Sequence, residues 1–168
     1  MAASGCCVTG ESLIKIYPSK EAKQGKEISI KEFFHTFDSN EEYFIDSFTP
    51  RVLQMDRKKI INPISNMYSG GMIRFIMDIE NEISLLCTED HKFPMEIDGE
   101  YFVGKANQCS VWTLFHFFDK GKTIKQKVKA IVTFDVENLE VFNLAIEGES
   151  RYSDGFYIDQ ATGLIHHV

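Results

Sequence analysis

Thr88 and His91 stand three residues apart at the end of an apolar, strand-like run, Leu85–Cys87, and the chain returns to an extended pattern at Lys92–Phe93. One short turn can therefore present a hydroxyl and an imidazole side by side. Together these groups can hold a backbone amide and pass a proton to or from it. A Thr-x-x-His tetrapeptide is common, so its meaning depends on a nucleophile elsewhere. Four cysteines are present, Cys6, Cys7, Cys87 and Cys109. Adjacent Cys6 and Cys7 make an awkward disulfide staple in a chain long enough to fold without one, so at least one of them suits thiol chemistry better.

The elements that must position these groups read as β throughout. Leu13, Ile14 and Ile16 open a strand after the turn at Gly10, and Ile28–Ile30 forms another. Lys31–Phe37 predicts a brief helix with Phe33, Phe34 and Phe37 on one side. Pro50–Met55 reads as a strand, and so does the stretch around Ile60 and Ile61, where Pro63 calls for an edge or a bulge. Gly70–Gly71 predicts a hairpin turn. Met72–Met77 pairs with Ile83–Cys87 across Asp78–Glu82, which puts Thr88 and His91 at the end of that hairpin. Asp98–Gly99 and Asp119–Lys122 are further turns. Over Ala106–Phe118 the apolar residues fit a buried strand or a short helix equally. Lys125–Phe134 reads as a strand that turns back at Asn138 into Glu140–Glu147. Phe156–Ile158 and the final Gly163–Val168 are again β-like. Short strands with frequent turns and little helix predict an all-β single domain.

A chain of 168 residues with 43% hydrophobic content, fourteen phenylalanines and six tyrosines has material for one sizeable core. The net charge of −7 argues against a nucleic-acid surface, which needs clustered Lys and Arg. No run of 18 apolar residues and no signal-peptide pattern is present, so the expected setting is soluble, intracellular and away from membranes. Phosphate-binding glycine loops, His-Glu-x-x-His and Cys-x-x-Cys pairs are absent.

Cys7-Val8-Thr9-Gly10-Glu11-Ser12-Leu13-Ile14 resembles the opening block of inteins and of the wider Hedgehog/intein (Hint) superfamily. Further blocks follow in the family's order. Lys26–Phe33 is similar to a strand feeding a helical turn, and Tyr68–Gly71 precedes the hairpin that ends in Thr88 and His91. Phe93–Phe102 resembles the usual continuation, and Val141–Gly148 resembles the late "Val-Tyr-Asp-Leu-x-Val" block. The resemblance covers nearly the whole chain. It implies a horseshoe-like, pseudo-twofold β fold over residues 7–168, with residues 1–6 as leader or upstream flank. It also implies self-processing in cis on flanking polypeptide by a monomer, in the cytoplasm with its host protein, without cofactor, metal or nucleic acid. In that family a thiol placed like Cys7 attacks the carbonyl of the preceding residue, here Cys6. A histidine placed like His91 protonates or polarises the leaving nitrogen, and a threonine placed like Thr88 holds the scissile peptide.

The second half departs from the family. Asn143 stands where an aspartate is common, and Ser150 stands where a histidine is expected. With Gly163 as the glycine of the closing strand, His167 takes the penultimate-histidine place and Val168 the place of the asparagine that cyclises. With Gly155 as that glycine, Asp159 and Gln160 occupy those two places. Valine cannot cyclise, and glutamine could cyclise only more slowly, with Ala161 offering no nucleophile after it, so neither register predicts complete splicing by this polypeptide. The stretch from Gly104 to Lys125 is too short for an inserted endonuclease, which implies a mini-intein-like domain. Two other readings follow from the residues. One is a degenerate Hint domain serving as a binding or structural module. The other is a zinc site drawn from Cys87, Cys109, His91, His116, His166 and His167, whose spacing matches no compact zinc motif.

Overall fold

The computed structural model describes residues 7–49, 53–148 and 155–168. Among them are thirteen strands, one α-helix and one 3-10 turn. The strands are β1 (Val8–Thr9), β2 (Leu13–Ile16), β3 (Lys26–Ser29), β4 (Phe44–Phe48), β5 (Met55–Asp78), β6 (Ile83–Thr88) and β7 (Lys92–Ile97). They continue with β8 (Glu100–Lys105), β9 (Leu114–Asp119), β10 (Lys122–Gln126), β11 (Ala130–Ile146), β12 (Phe156–Ile158) and β13 (Ile165–His167). Helix α1 covers Ile30–Thr36, and Ser29 caps it by accepting the Glu32 N–H at 3.1 Å.

The largest sheet runs β11-β1-β6-β5-β4-β12-β13, and β5 also pairs directly with β11. A second sheet runs β10-β9-β7-β8, and β2 pairs with β3. The two longest strands, β5 and β11, are antiparallel from Ala130↔Ile76 to Ile146↔Ile60 and form the spine of the structure. The core lies where the sheets meet. Phe75, Phe93 and Phe115 touch one another there, with ring centroids 5.1 to 5.7 Å apart, which is the range in which aromatic pairs add to simple burial.

The all-β expectation holds, and several local expectations do not. Gly70 and Gly71 make no hairpin turn: they lie inside β5, opposite Val136 and Asp135. Gly71 leaves room for the Glu89 carboxylate to lie where a Cβ would stand, and Gly70 takes a φ of 151°. Asn138 does not turn the chain back either. It adopts a left-handed φ of 50° within β11, at the register shift between Val136 and Leu139, so one asparagine makes a bulge in a continuous strand. The strand expected at Pro50–Met55 begins only at Met55. Leu53 and Gln54 lie before it outside any strand, where Leu53 has a φ of 48° and its N–H donates to the Thr49 carbonyl, and residues 50–52 lie outside the described residues. Ala106–Phe118 divides into the 3-10 turn Ala106–Gln108, a loop and strand β9.

Candidate functional site

Strand β1 is two residues long, yet it is held on both edges. Val8 pairs with Phe142 of β11 and with Cys87 of β6. Cys7 continues this line and is 1% exposed. Both backbone groups of Cys7 meet Thr88. The Thr88 N–H donates to the Cys7 carbonyl at 2.9 Å, and the Cys7 N–H donates to Thr88 Oγ1 at 3.3 Å. The amide nitrogen of the Cys6–Cys7 peptide therefore rests against the threonine hydroxyl. Cys6 itself lies outside the described residues. The sulfur of Cys7 is in a disulfide in this structure, and Cys87 and Cys109 are free thiols.

Thr88 ends β6, and the chain turns at once, the His91 N–H donating to the Thr88 carbonyl at 3.0 Å. The turn is fastened from outside. Glu89 donates to Gly71, Asn107 to the Glu89 carbonyl and Ala106 to the His91 carbonyl, at 2.8 to 3.1 Å. His91 is fully buried, its ring edge-on to Phe93. Its Nε2 lies 2.9 Å from Nδ1 of His166. His166 is 1% exposed and lies under the Tyr157 ring, with centroids 4.1 Å apart. Burial, and then the positive charge that His91 or His167 can carry, hold the His166 pKa well below the usual histidine range.

Asn143 is buried on β11, and continuing the antiparallel register Thr9↔Val141, Val8↔Phe142 by one residue sets it opposite Cys7. Its Oδ1 accepts from the Leu144 N–H at 2.8 Å and from the Tyr157 hydroxyl at 3.5 Å. Cys7, Thr88 and Asn143 are thus brought together on adjacent strands. Ser150 lies outside the described residues. His167 is half-buried, turned toward the Phe156 ring, and its Nδ1 meets the Val168 carbonyl oxygen. Val168 donates its N–H to Gly155 at 3.1 Å. Asp159, the alternative penultimate position, caps its own turn by accepting from Thr162, and burial raises its pKa to about 6.

Sequence reasoning singled out His167 at the end of the chain, whereas the structure brings its neighbour His166 to His91. The signal lay in strand alternation: on β13, His166 and His167 face opposite ways. The zinc candidates do not converge. Among the described residues no three His, Cys, Asp or Glu side chains are placed to hold a metal ion. Cys87 is buried between β1 and β5, and desolvation pushes its thiol well above the ordinary range. Burial likewise pushes Cys109 up to about 12.

Comparison with protein-family models returns no match. An uncharacterized protein of Methanocaldococcus jannaschii is 27% identical over 132 residues, covering 76% of this chain and only 18% of its own length. Among solved structures, an intein from a hyperthermophile superposes with a TM-score of 0.77 at 17% identity, covering 96% of this chain and 99% of its own. The transcription factor IIB Mvu mini-intein superposes with a TM-score of 0.71 at 15% identity, covering 98% of this chain and all of its own. No helix among the described residues is long and apolar enough to cross a membrane. Matched almost end to end with a mini-intein, this chain has the all-β Hint fold of inteins.

Proposed function

We propose that residues 7–168 form one autoprocessing unit that acts in cis on flanking polypeptide, beginning with an N-to-S acyl shift at the Cys6–Cys7 bond. In this step the reduced Cys7 Sγ attacks the Cys6 carbonyl carbon. A C–S bond forms, the C–N bond breaks, and the proton lost by the thiol ends on the released Cys7 amine. The observation that supports this reading is the grip of Thr88 on both backbone groups of Cys7, with His91 in the same turn. Holding the scissile amide in one geometry supplies orientation, and a nearby imidazole supplies proton transfer to the leaving nitrogen. Asn143 takes the family's aspartate place without an ionisable group. Val168 takes the place of the cyclising asparagine, and its side chain has no nucleophile, so cyclisation at that residue is closed to this sequence.

The test is incubation with dithiothreitol, which frees the Cys7 thiol and intercepts a thioester. Intact mass then reads loss of residues 1–6. The parent loses this segment and Cys7→Ala keeps it; equal behaviour of the two proteins refutes the reading.

A further inference from the structure

His166 takes no part in the acyl shift proposed for Cys7, yet its ring meets that of His91 in the interior. Two imidazoles joined N to N at 2.9 Å share a single proton, because one nitrogen must donate and the other accept. The hydrogen bond made by one nitrogen of a histidine decides what the other can do. We propose that His166 is a positioning residue for His91: it engages Nε2 and so makes Nδ1 the ring nitrogen that His91 presents to the Cys6–Cys7 peptide. The proposal rests on the roles given above to Cys7, Thr88 and His91.

The surroundings of His166 fit a fixed, uncharged partner. Strand β13 pairs it with Tyr157 of β12, whose ring lies against it, and Phe93 stands on the His91 side with its centroid 6.3 Å away. Among the described residues the His166 ring meets no carboxylate in a hydrogen bond. When His91 holds the proton it has taken from the thiol, its Nε2–H donates to the His166 Nδ1 lone pair. His91 then gives its Nδ1 proton to the departing Cys7 nitrogen and keeps the proton on Nε2. His91 thus returns to its starting charge, and His166 neither gains nor loses a proton. The arrangement also ties the closing strand to the opening one, because β13 must be seated for His91 to be oriented.

Three substitutions separate positioning from packing. His166→Asn keeps a hydrogen-bonding atom near the place of Nδ1, His166→Gln moves it to the place of Nε2, and His166→Leu removes it. Thiol-induced cleavage across pH is measured for each. The nitrogen-15 resonances of the His91 ring are recorded in the chemically silent Cys7→Ala protein with and without each change. His166→Leu and His166→Gln should slow cleavage about tenfold or more and displace its pH profile, while His166→Asn stays near the parent. The His91 nitrogens should report one tautomer in Cys7→Ala and an averaged one once His166→Leu is added. Equal rates for Asn and Gln, or His91 resonances indifferent to His166→Leu, would overturn the proposal. A parent that never cleaves refutes the Cys7 assignment instead, and the ring resonances still decide whether His166 holds His91.

Discussion

The Cys7 N–H donates to Thr88 Oγ1 at 3.3 Å across 81 residues of chain, so the amide where the reaction begins is anchored by the end of β6. Thr88→Val keeps the shape of the side chain and removes the acceptor. It should slow thiol-induced cleavage about tenfold or more, because a small displacement of a reacting group is expensive in rate. Loss of the acceptor for a buried N–H should lower stability by about 1–3 kcal/mol. Cleavage kinetics and urea unfolding measure the two effects separately.

Asp159 gives a pH dependence of stability. Burial raises its folded pKa to about 6 from the unfolded 3.8, so the folded state binds its proton more tightly than the unfolded chain does. Its contribution is fully present below pH 3.8 and lost as pH rises through about 6. At 1.36 kcal/mol for each tenfold change in proton affinity, the full effect is about 3 kcal/mol. Asp159→Asn should therefore be more stable than the parent at pH 8, with the advantage vanishing near pH 4. Unfolding midpoints of both proteins across that range provide the comparison.

His166 acts in the opposite direction. Its folded pKa lies well below 6.5, so its contribution is present above pH 6.5 and declines as pH falls toward the folded value. His166→Asn should lose less stability than the parent between pH 6.5 and 5. Because Asp159 gains stability over the same interval, the test belongs in an Asp159→Asn background, by thermal unfolding at several pH values.

Gly163 closes the turn that delivers β13. It has a φ of 80°, and an added Cβ would stand 3.0 Å from the Phe118 carbonyl oxygen, a backbone atom with little freedom to move. Gly163→Ala should cost about 1–3 kcal/mol, from the left-handed backbone and the close approach together. Equilibrium unfolding gives that number. If β13 is displaced, the His91 ring resonances should move as well.

The β character of the chain was legible because alternation and turn residues are local signals, and the Met72–Met77 hairpin with Ile83–Cys87 follows from them. Gly70–Gly71 and Asn138 misled for one shared reason. Each permits a positive φ, and whether that freedom becomes a turn or a bulge depends on the partner strand, which local sequence does not contain. The grip of Thr88 on Cys7 could be expected only through resemblance, since no spacing rule joins residues 81 apart. His166 is named from sequence only as a zinc candidate, and its link to His91 is not legible there because two consecutive histidines on a strand differ only in the face they take. That choice is made by the pairing of β13 with β12.

The most direct test is the chemical identity of the bond that breaks. The protein, reduced with a phosphine so that Cys7 is a thiol, is treated with hydroxylamine, and both fragments are sequenced by mass spectrometry. A thioester at Cys7 predicts a peptide ending in a Cys6 hydroxamate and a partner beginning with a free amine on Cys7, neither of them formed by Cys7→Ala. An uncut parent, or the same cut in Cys7→Ala, would contradict the account.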